Sequence, residues 1–226
     1  MRRVLTLYRS SIGKKILMAA TGVLLVGFVF FHMLGNLKAF QGAEKLDHYG
    51  AFLRDMGAPV FAHGQALWLM RIVLIVALVV HVVAAVQLAV QSRRARPERY
   101  QRGLRPDAST FASRTMLIGG ILLFAFVVLH ILHFTTGTVH PNFVEGGVFH
   151  NVTVAFQSPW ITFAYVIVMG FLGLHLFHGI WSGFQTLGLN HPRYNKFRRP
   201  LATVVAVVIA VGFVLMPLAV LSGLIG

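Results

Sequence analysis

The chain has 226 residues, of which 57% are hydrophobic and only 12% are charged. Because soluble domains average about 25% charged residues, this composition excludes an ordinary soluble fold and indicates a helical membrane protein. The 20 Lys and Arg against 6 Asp and Glu are explained by basic cytoplasmic loops rather than by binding to nucleic acid. Cys is absent, which excludes disulfides and thiolate-bound iron–sulfur clusters on this chain.

Five apolar stretches are long enough to cross about 30 Å of hydrocarbon as helices. They cover roughly residues 16–37, 65–90, 115–136, 160–187 and 201–224. The segments 41–64 and 137–159 between them are predicted to be loops. The first span lacks a small-residue cleavage site, so we expect it to be retained. The prediction is an all-α integral membrane bundle of five transmembrane helices, forming one domain over residues 1–226.

Basic residues collect on one side of these spans. The N-terminal segment holds five Lys and Arg, the loop that ends at Arg114 holds seven, and the segment before the fifth span holds four. Only Lys38, Lys45, Arg54 and Arg71 fall on the other side. The positive-inside rule therefore predicts a cytoplasmic N-terminus and an outside C-terminus. We expect a multi-pass protein of the inner (cytoplasmic) membrane.

Four spans carry histidine inside their apolar stretch, where an unpaired imidazole is costly and indicates function. With an N-terminus in the cytoplasm, His32 and His130 come late in spans that run outward. His81 and His175 come past the middle of spans that run inward. At a rise of about 1.5 Å per residue, depth sorts the four rings into an outer pair, His32 with His130, and an inner pair, His81 with His175.

Two imidazole pairs at two depths suit two haem b groups stacked across a membrane, because neutral imidazole is a good axial ligand of haem iron. Two axial histidines leave no open position, so such haems would carry electrons. The alternative is a transporter or channel that uses histidine as a proton relay, but the spans contain neither interrupted helices nor paired carboxylates. Zinc is less favoured because no histidine–carboxylate cluster falls at one depth.

Two further histidines, His133 and His178, each lie three residues after a predicted ligand and share its helix face. Contact with a haem propionate or a quinone, and simple packing, are equally open for both. The remaining histidines fall in loops or at span ends and are predicted to be solvated, with His63 as the one open case: His48, His63, His140, His150 and His191. The basic candidates for contact with haem propionates are Lys15, Arg93 and Arg114 near the inner surface and Arg71 near the outer one.

Two runs of the sequence resemble a known family, the single-subunit cytochrome b membrane anchor of succinate dehydrogenase and fumarate reductase. SSIGKKILMAATGVLLVGFVFFHMLGNL, from Ser10 to Leu37, resembles the first span of that anchor. HLFHGIWSGFQTLGLNHP, from His175 to Pro192, resembles its fourth span. The similarity extends over essentially the whole chain, with five spans in the same order.

The resemblance implies a dihaem protein with one axial histidine on each of the first four spans. It favours the first histidine over the second in the third and fourth spans. The implied ligands, in the pairs that depth also gives, are His32 with His130 and His81 with His175.

The resemblance also implies the partners and the reaction. A flavoprotein subunit and an iron–sulfur subunit would bind the cytoplasmic face, as in respiratory complex II of the tricarboxylic acid cycle. Electrons would pass from the iron–sulfur subunit through two b haems to a membrane quinone, with menaquinone favoured over ubiquinone. A higher oligomer of the complex is open, and so is a haem b subunit of another quinone-linked dehydrogenase.

The quinone site is the least determined part of the resemblance. Some fumarate-linked relatives carry a Glu near the outer start of the second span. The corresponding stretch here, GAPVFAHGQALWLMR, has no carboxylate after Asp55. The residues proposed in its place for quinone contact are His63, Gln65, Trp68 and Arg71.

Overall fold

The computed structural model describes residues 10–95, 111–189 and 191–226, and this part of the chain is helical without strands. Its helices are α1 (Ser11–Asn36), α2 (Ala43–Asp55), α3 (Gln65–Arg94), α4 (Phe111–Phe134), α5 (Val148–Phe156), α6 (Pro159–Thr186) and α7 (Pro192–Leu221), with a 3₁₀ helix at Leu37–Gln41. Helices α1, α3, α4, α6 and α7 are long and apolar enough to cross a membrane. The prediction of an all-α bundle with five spans is confirmed. The predicted basic lead-in before residue 10, and most of the predicted basic loop after α3, lie outside the described residues.

Local sequence signals set the helix starts. The Ser10 side chain accepts a hydrogen bond from the Gly13 N–H at 3.0 Å and caps α1. Helices α6 and α7 carry Pro in their first turn, where its missing N–H costs nothing. Helix α7 starts at Pro192, well before the predicted residue 201, because the basic segment continues as helix through Pro200.

Two stretches that were predicted as loops contain helices. Helix α2 lies within residues 41–64 and helix α5 within residues 137–159. They pack on each other, and the Phe149 N–H donates to the Asp47 carboxylate at 2.8 Å. Helix α2 also contacts the 3₁₀ helix that follows α1, and α5 also packs against α7. We call this the capped end.

The five long helices alternate in direction between the capped end and the opposite one. Helix α1 packs along α3, α4 along α6, and α6 along α7. The end of α6 meets the start of α7, where the Arg199 guanidinium lies 5.1 Å from the Trp181 ring. The end of α3 and the starts of α1, α4 and α7 carry most of the described basic residues. We call this the basic end.

The apolar core is divided between the capped end and the middle of the bundle. At the capped end, buried residues of α5 and α7 surround Tyr165 of α6. Nearer the middle, Met33 packs with Leu176, Ala206 and Ile209. The Met33 side chain occupies the space beside Gly212, so a side chain at that position would require Met33 to move.

Candidate functional site

Four histidines inside the spans form two ring pairs. The ring centroids of His32 in α1 and His130 in α4 are 5.8 Å apart. Those of His81 in α3 and His175 in α6 are 6.3 Å apart. The first pair lies toward the capped end and the second toward the basic end, so the structure brings together the same partners that depth paired. Their role as haem ligands stays a prediction.

Each pair joins helices that otherwise do not pack closely. Neither α1 with α4 nor α3 with α6 belongs to the helix pairs with extensive backbone contact, whereas α1 with α3 and α4 with α6 do. The rings therefore meet between two helix pairs, α1–α3 on one side and α4–α6 on the other. Long side chains rather than backbone span this distance, which is the arrangement expected where a flat group is held between helices.

The ring spacing fits a metal ion shared by both imidazoles. With metal–nitrogen bonds of about 2.0–2.1 Å and about 1.1 Å from each nitrogen to its ring centre, two rings on opposite sides of one metal have centroids about 6.3 Å apart. Both observed separations, 5.8 and 6.3 Å, come close to this value. Among the described residues, no group of three or more His, Cys, Asp or Glu could hold a metal ion. Two facing imidazoles suit a metal whose other ligands belong to a cofactor, as in haem.

Hydrogen bonding orients one of the four rings. His81 Nδ1 lies 3.1 Å from the Met18 carbonyl oxygen and 3.3 Å from the Thr21 hydroxyl. That hydroxyl itself donates to the Leu17 carbonyl at 2.7 Å. An Nδ1–H that donates to Met18 leaves Nε2 unprotonated and able to bind a metal, which is the usual way that a neighbouring acceptor orients a ligating histidine.

Three ring nitrogens are buried without a hydrogen-bond partner in the described structure: Nδ1 of His130, His175 and His178. Leaving a buried donor or acceptor unpaired costs about 1–3 kcal/mol. Within the described part of the chain, no hydrogen bond offsets this cost at these three nitrogens.

Glycines leave space against the rings of the second pair. A Cβ at Gly22 would lie 3.4 Å from His81 Cε1, and a Cβ at Gly120 would lie 3.9 Å from His175 Cε1. A larger side chain at either position would press on the ring it faces. Sequence reasoning placed neither glycine beside a histidine ring, because spacing alone does not show which helix lies opposite which.

His133 is buried and bonded to protein. Its Nδ1 lies 2.9 Å from the Tyr165 hydroxyl, and its exposed fraction is 4%. The Tyr165 ring also lies 6.1 Å from the His130 ring, so this phenol connects His133 to the predicted ligand three residues earlier. Nothing in the sequence pattern identified Tyr165.

The prediction that His140 is solvated is wrong, because its exposed fraction is 7%. His140 belongs to the segment that connects α4 to α5, and its ring is covered by protein. Its Nδ1 accepts from the Asn142 N–H at 3.2 Å, and its Nε2 donates to the Asn151 carbonyl at 2.9 Å. The Asn151 side chain in turn bonds both backbone groups of Val144. His140 therefore fastens the segment to α5.

The other predicted contacts lie nearer the ends of the bundle. The His178 ring lies 6.2 Å from Trp181. Three of the basic candidates for haem propionates are exposed at the basic end, namely Lys15, Arg93 and Arg114. The fourth, Arg71, stacks its guanidinium 4.9 Å from the Trp68 ring.

The predicted quinone residues cluster at the start of α3. His63 Nδ1 lies 2.6 Å from an Asp55 carboxylate oxygen, and both side chains are well exposed. Gln65 Oε1 accepts from the Ala62 N–H at 3.0 Å, which closes the turn before the helix. Asp55 was not among the predicted quinone residues, because it precedes the stretch in which they were sought. The turn before α3 nevertheless brings its carboxylate against His63.

Comparison with known proteins finds no matching family, curated protein or solved structure. The fold and the site together define a multi-pass helical membrane protein with two facing histidine pairs, one toward each end of the bundle. A more particular assignment depends on the residues alone.

Proposed function

We propose that this protein is a dihaem cytochrome b, the membrane anchor of a succinate:quinone oxidoreductase. The observation that carries the proposal is the pair of facing imidazoles at each of two levels, with ring spacings of 5.8 and 6.3 Å. His32 with His130, and His81 with His175, would each hold one haem b. Bound between two imidazoles, haem iron has no open position and exchanges single electrons.

The surrounding residues serve that role in specific ways. The Met18 carbonyl accepts a hydrogen bond from His81 Nδ1, which leaves Nε2 of that ring available to bind iron. Gly22 and Gly120 keep the space beside those rings free of side chains. Both levels lie within the apolar spans, and two imidazole ligands would leave the iron no open position for reaction with oxygen.

The orientation and the partners form part of the same proposal. The basic end would face the cytoplasm, with the N-terminus inside and the C-terminus outside, in the inner membrane. A flavoprotein subunit and an iron–sulfur subunit would dock on that end. Electrons would enter there and leave to a membrane quinone, with menaquinone as the favoured acceptor. This chain supplies the quinone-reducing part of succinate dehydrogenase or fumarate reductase activity and not the whole of it.

The decisive experiment is spectroscopic. We expect the purified protein to give a reduced-minus-oxidised spectrum of low-spin b haem, with two haems per chain by extraction. Absence of haem after expression with adequate haem supply would overturn the proposal and favour a histidine relay in transport. Co-purification from the native membrane then identifies the partner subunits. A flavoprotein and an iron–sulfur subunit that oxidise succinate would support the proposal, whereas a hydrogenase or formate dehydrogenase subunit would contradict it.

A further inference from the structure

A groove of about 490 Å³ opens on the surface between α6 and α7, near the basic end. The residues that line it are Phe177, Arg199, Pro200, Thr203 and Val204. The Thr203 hydroxyl donates to the Arg199 carbonyl at 3.0 Å and is therefore occupied. The groove thus has apolar walls and one charged group, the guanidinium of Arg199.

No carboxylate of the described residues neutralises that guanidinium. Arg199 is exposed and its guanidinium lies 5.1 Å from the Trp181 ring. The acidic residues that the structure describes all belong to the segments at the capped end: Glu44, Asp47, Asp55 and Glu145. The ring holds the guanidinium in place, and within the part of the chain that the structure describes no carboxylate balances its charge.

We propose that this groove binds an anionic phospholipid. One acyl chain would lie along Phe177, Pro200 and Val204, and the phosphate would meet the guanidinium of Arg199. Arginine suits this contact because its planar fork donates two parallel hydrogen bonds to phosphate oxygens. Its neighbour on α7, Lys196, extends the positive surface toward the headgroup region, which favours a net negative lipid over a zwitterionic one.

The test uses the full-length protein, purified in detergent and then titrated with phosphatidylglycerol or with phosphatidylcholine while bound lipid is counted by native mass spectrometry. We expect one tightly held phosphatidylglycerol and weaker binding of phosphatidylcholine. Because one basic residue near a membrane surface contributes about 1 kcal/mol toward anionic lipid, Arg199→Gln should weaken phosphatidylglycerol about fivefold. Arg199→Lys, which keeps the charge, should lose less.

The chain offers matched controls. Arg193 is exposed on the same helix and stacks on an aromatic ring, Tyr194, at 5.9 Å, but it does not line the groove. Arg193→Gln should leave the affinity within about twofold, a change well under 1 kcal/mol. Val204→Trp fills the groove and should abolish tight binding, whereas Val207→Trp, similarly exposed on α7, should not.

Equal binding of the two lipids by the unaltered protein, or equal losses in Arg193→Gln and Arg199→Gln, would overturn the proposal. Tight binding that survives Val204→Trp would overturn it as well. Helical content by circular dichroism confirms that each variant is folded. The measurement needs no haem, so its outcome is independent of the proposed electron-transfer function.

Discussion

An imidazole in hydrocarbon needs a partner, and at four positions of this bundle another imidazole ring lies nearby, with centroids 5.8 Å apart in one pair and 6.3 Å apart in the other. If each pair holds one haem, removing a single ring should remove one haem and leave the other. We expect His32→Leu or His130→Leu to lose the haem at the capped end, and His81→Leu or His175→Leu to lose the haem at the basic end. Haem per chain and the resolved α-bands of the difference spectrum measure this.

The controls for that experiment are the histidines three residues further along. His133→Leu and His178→Leu should both retain two haems, because neither is one of the four histidines that pair between different spans. The His133 ring contacts Tyr165 and the ring of His140, and the His178 ring lies beside Trp181. Loss of one haem in either control, with retention in the matching His130→Leu or His175→Leu variant, would show that the ligands were assigned to the wrong histidine of each span.

His140 has a structural role that can be tested without any cofactor. Its two ring nitrogens pair with the Asn142 N–H and the Asn151 carbonyl. His140→Ala leaves both groups unpaired beneath the segment between α4 and α5, so we expect a loss of about 1–3 kcal/mol in the free energy of unfolding. Denaturant titration in mixed micelles measures it. His150→Ala removes a bond at an exposed position and should change stability by less than about 0.5 kcal/mol; equal losses would contradict this role for His140.

At the scale of elements, the two short helices of the capped end are joined by one hydrogen bond to a carboxylate. Asp47 of α2 accepts from the Phe149 N–H in the first turn of α5, where a negative charge also meets the positive end of the helix dipole. We expect Asp47→Ala to cost about 0.5–2 kcal/mol and to speed hydrogen exchange at the amides of α5. Asp47→Asn keeps an acceptor oxygen, so its stability and its rate of hydrogen exchange should lie between those of the unaltered protein and of Asp47→Ala. Unchanged exchange in Asp47→Ala would mean that packing alone holds the cap.

The sequence predicted the spans well and the cap poorly, for a physical reason. A span is marked by about 20 consecutive apolar residues, whereas α2 is mostly polar and buries only Leu46 among its 13 residues. Gly57 and Pro59 follow α2 and form the turn before α3, and they led to the whole stretch being predicted as a loop. Helix α5 has only 9 residues and several β-branched ones, a composition that does not favour helix in isolation.

The candidate site was also predictable only in part: the sequence predicted the depth of its histidines but not their neighbours on other helices. Depth follows from position along a helix, because the rise per residue is fixed, and depth alone gave the pairs His32 with His130 and His81 with His175. Lateral neighbours do not follow from hydropathy. The contacts of His81 with Met18 and of His133 with Tyr165 depend on which helix lies beside which, and they became visible only in the folded chain.

For the molecule as a whole, two haems held at the two levels of histidine pairs would divide the crossing of the membrane into shorter electron-transfer steps. In the proposed orientation, electrons enter at the basic, cytoplasmic end and move toward the capped, outer end. Moving one elementary charge through a potential of 100 mV is worth about 2.3 kcal/mol. Since the cytoplasm is electrically negative, the field favours this transfer and can assist electrons from succinate onto a quinone of lower potential.

We therefore expect succinate-dependent menaquinone reduction by the complete complex to depend on the membrane potential. In sealed proteoliposomes with the basic end facing the negative side, an uncoupler should slow the reaction. The same complex in detergent has no membrane potential, so the uncoupler should leave its rate unchanged and this serves as the control. Haem reduction by succinate should respond in the same sense, with the capped-end haem the more sensitive because its electrons have crossed more of the field. If the rate in sealed vesicles does not change with the membrane potential, quinone is reduced near the basic end, without electron transfer between the two levels.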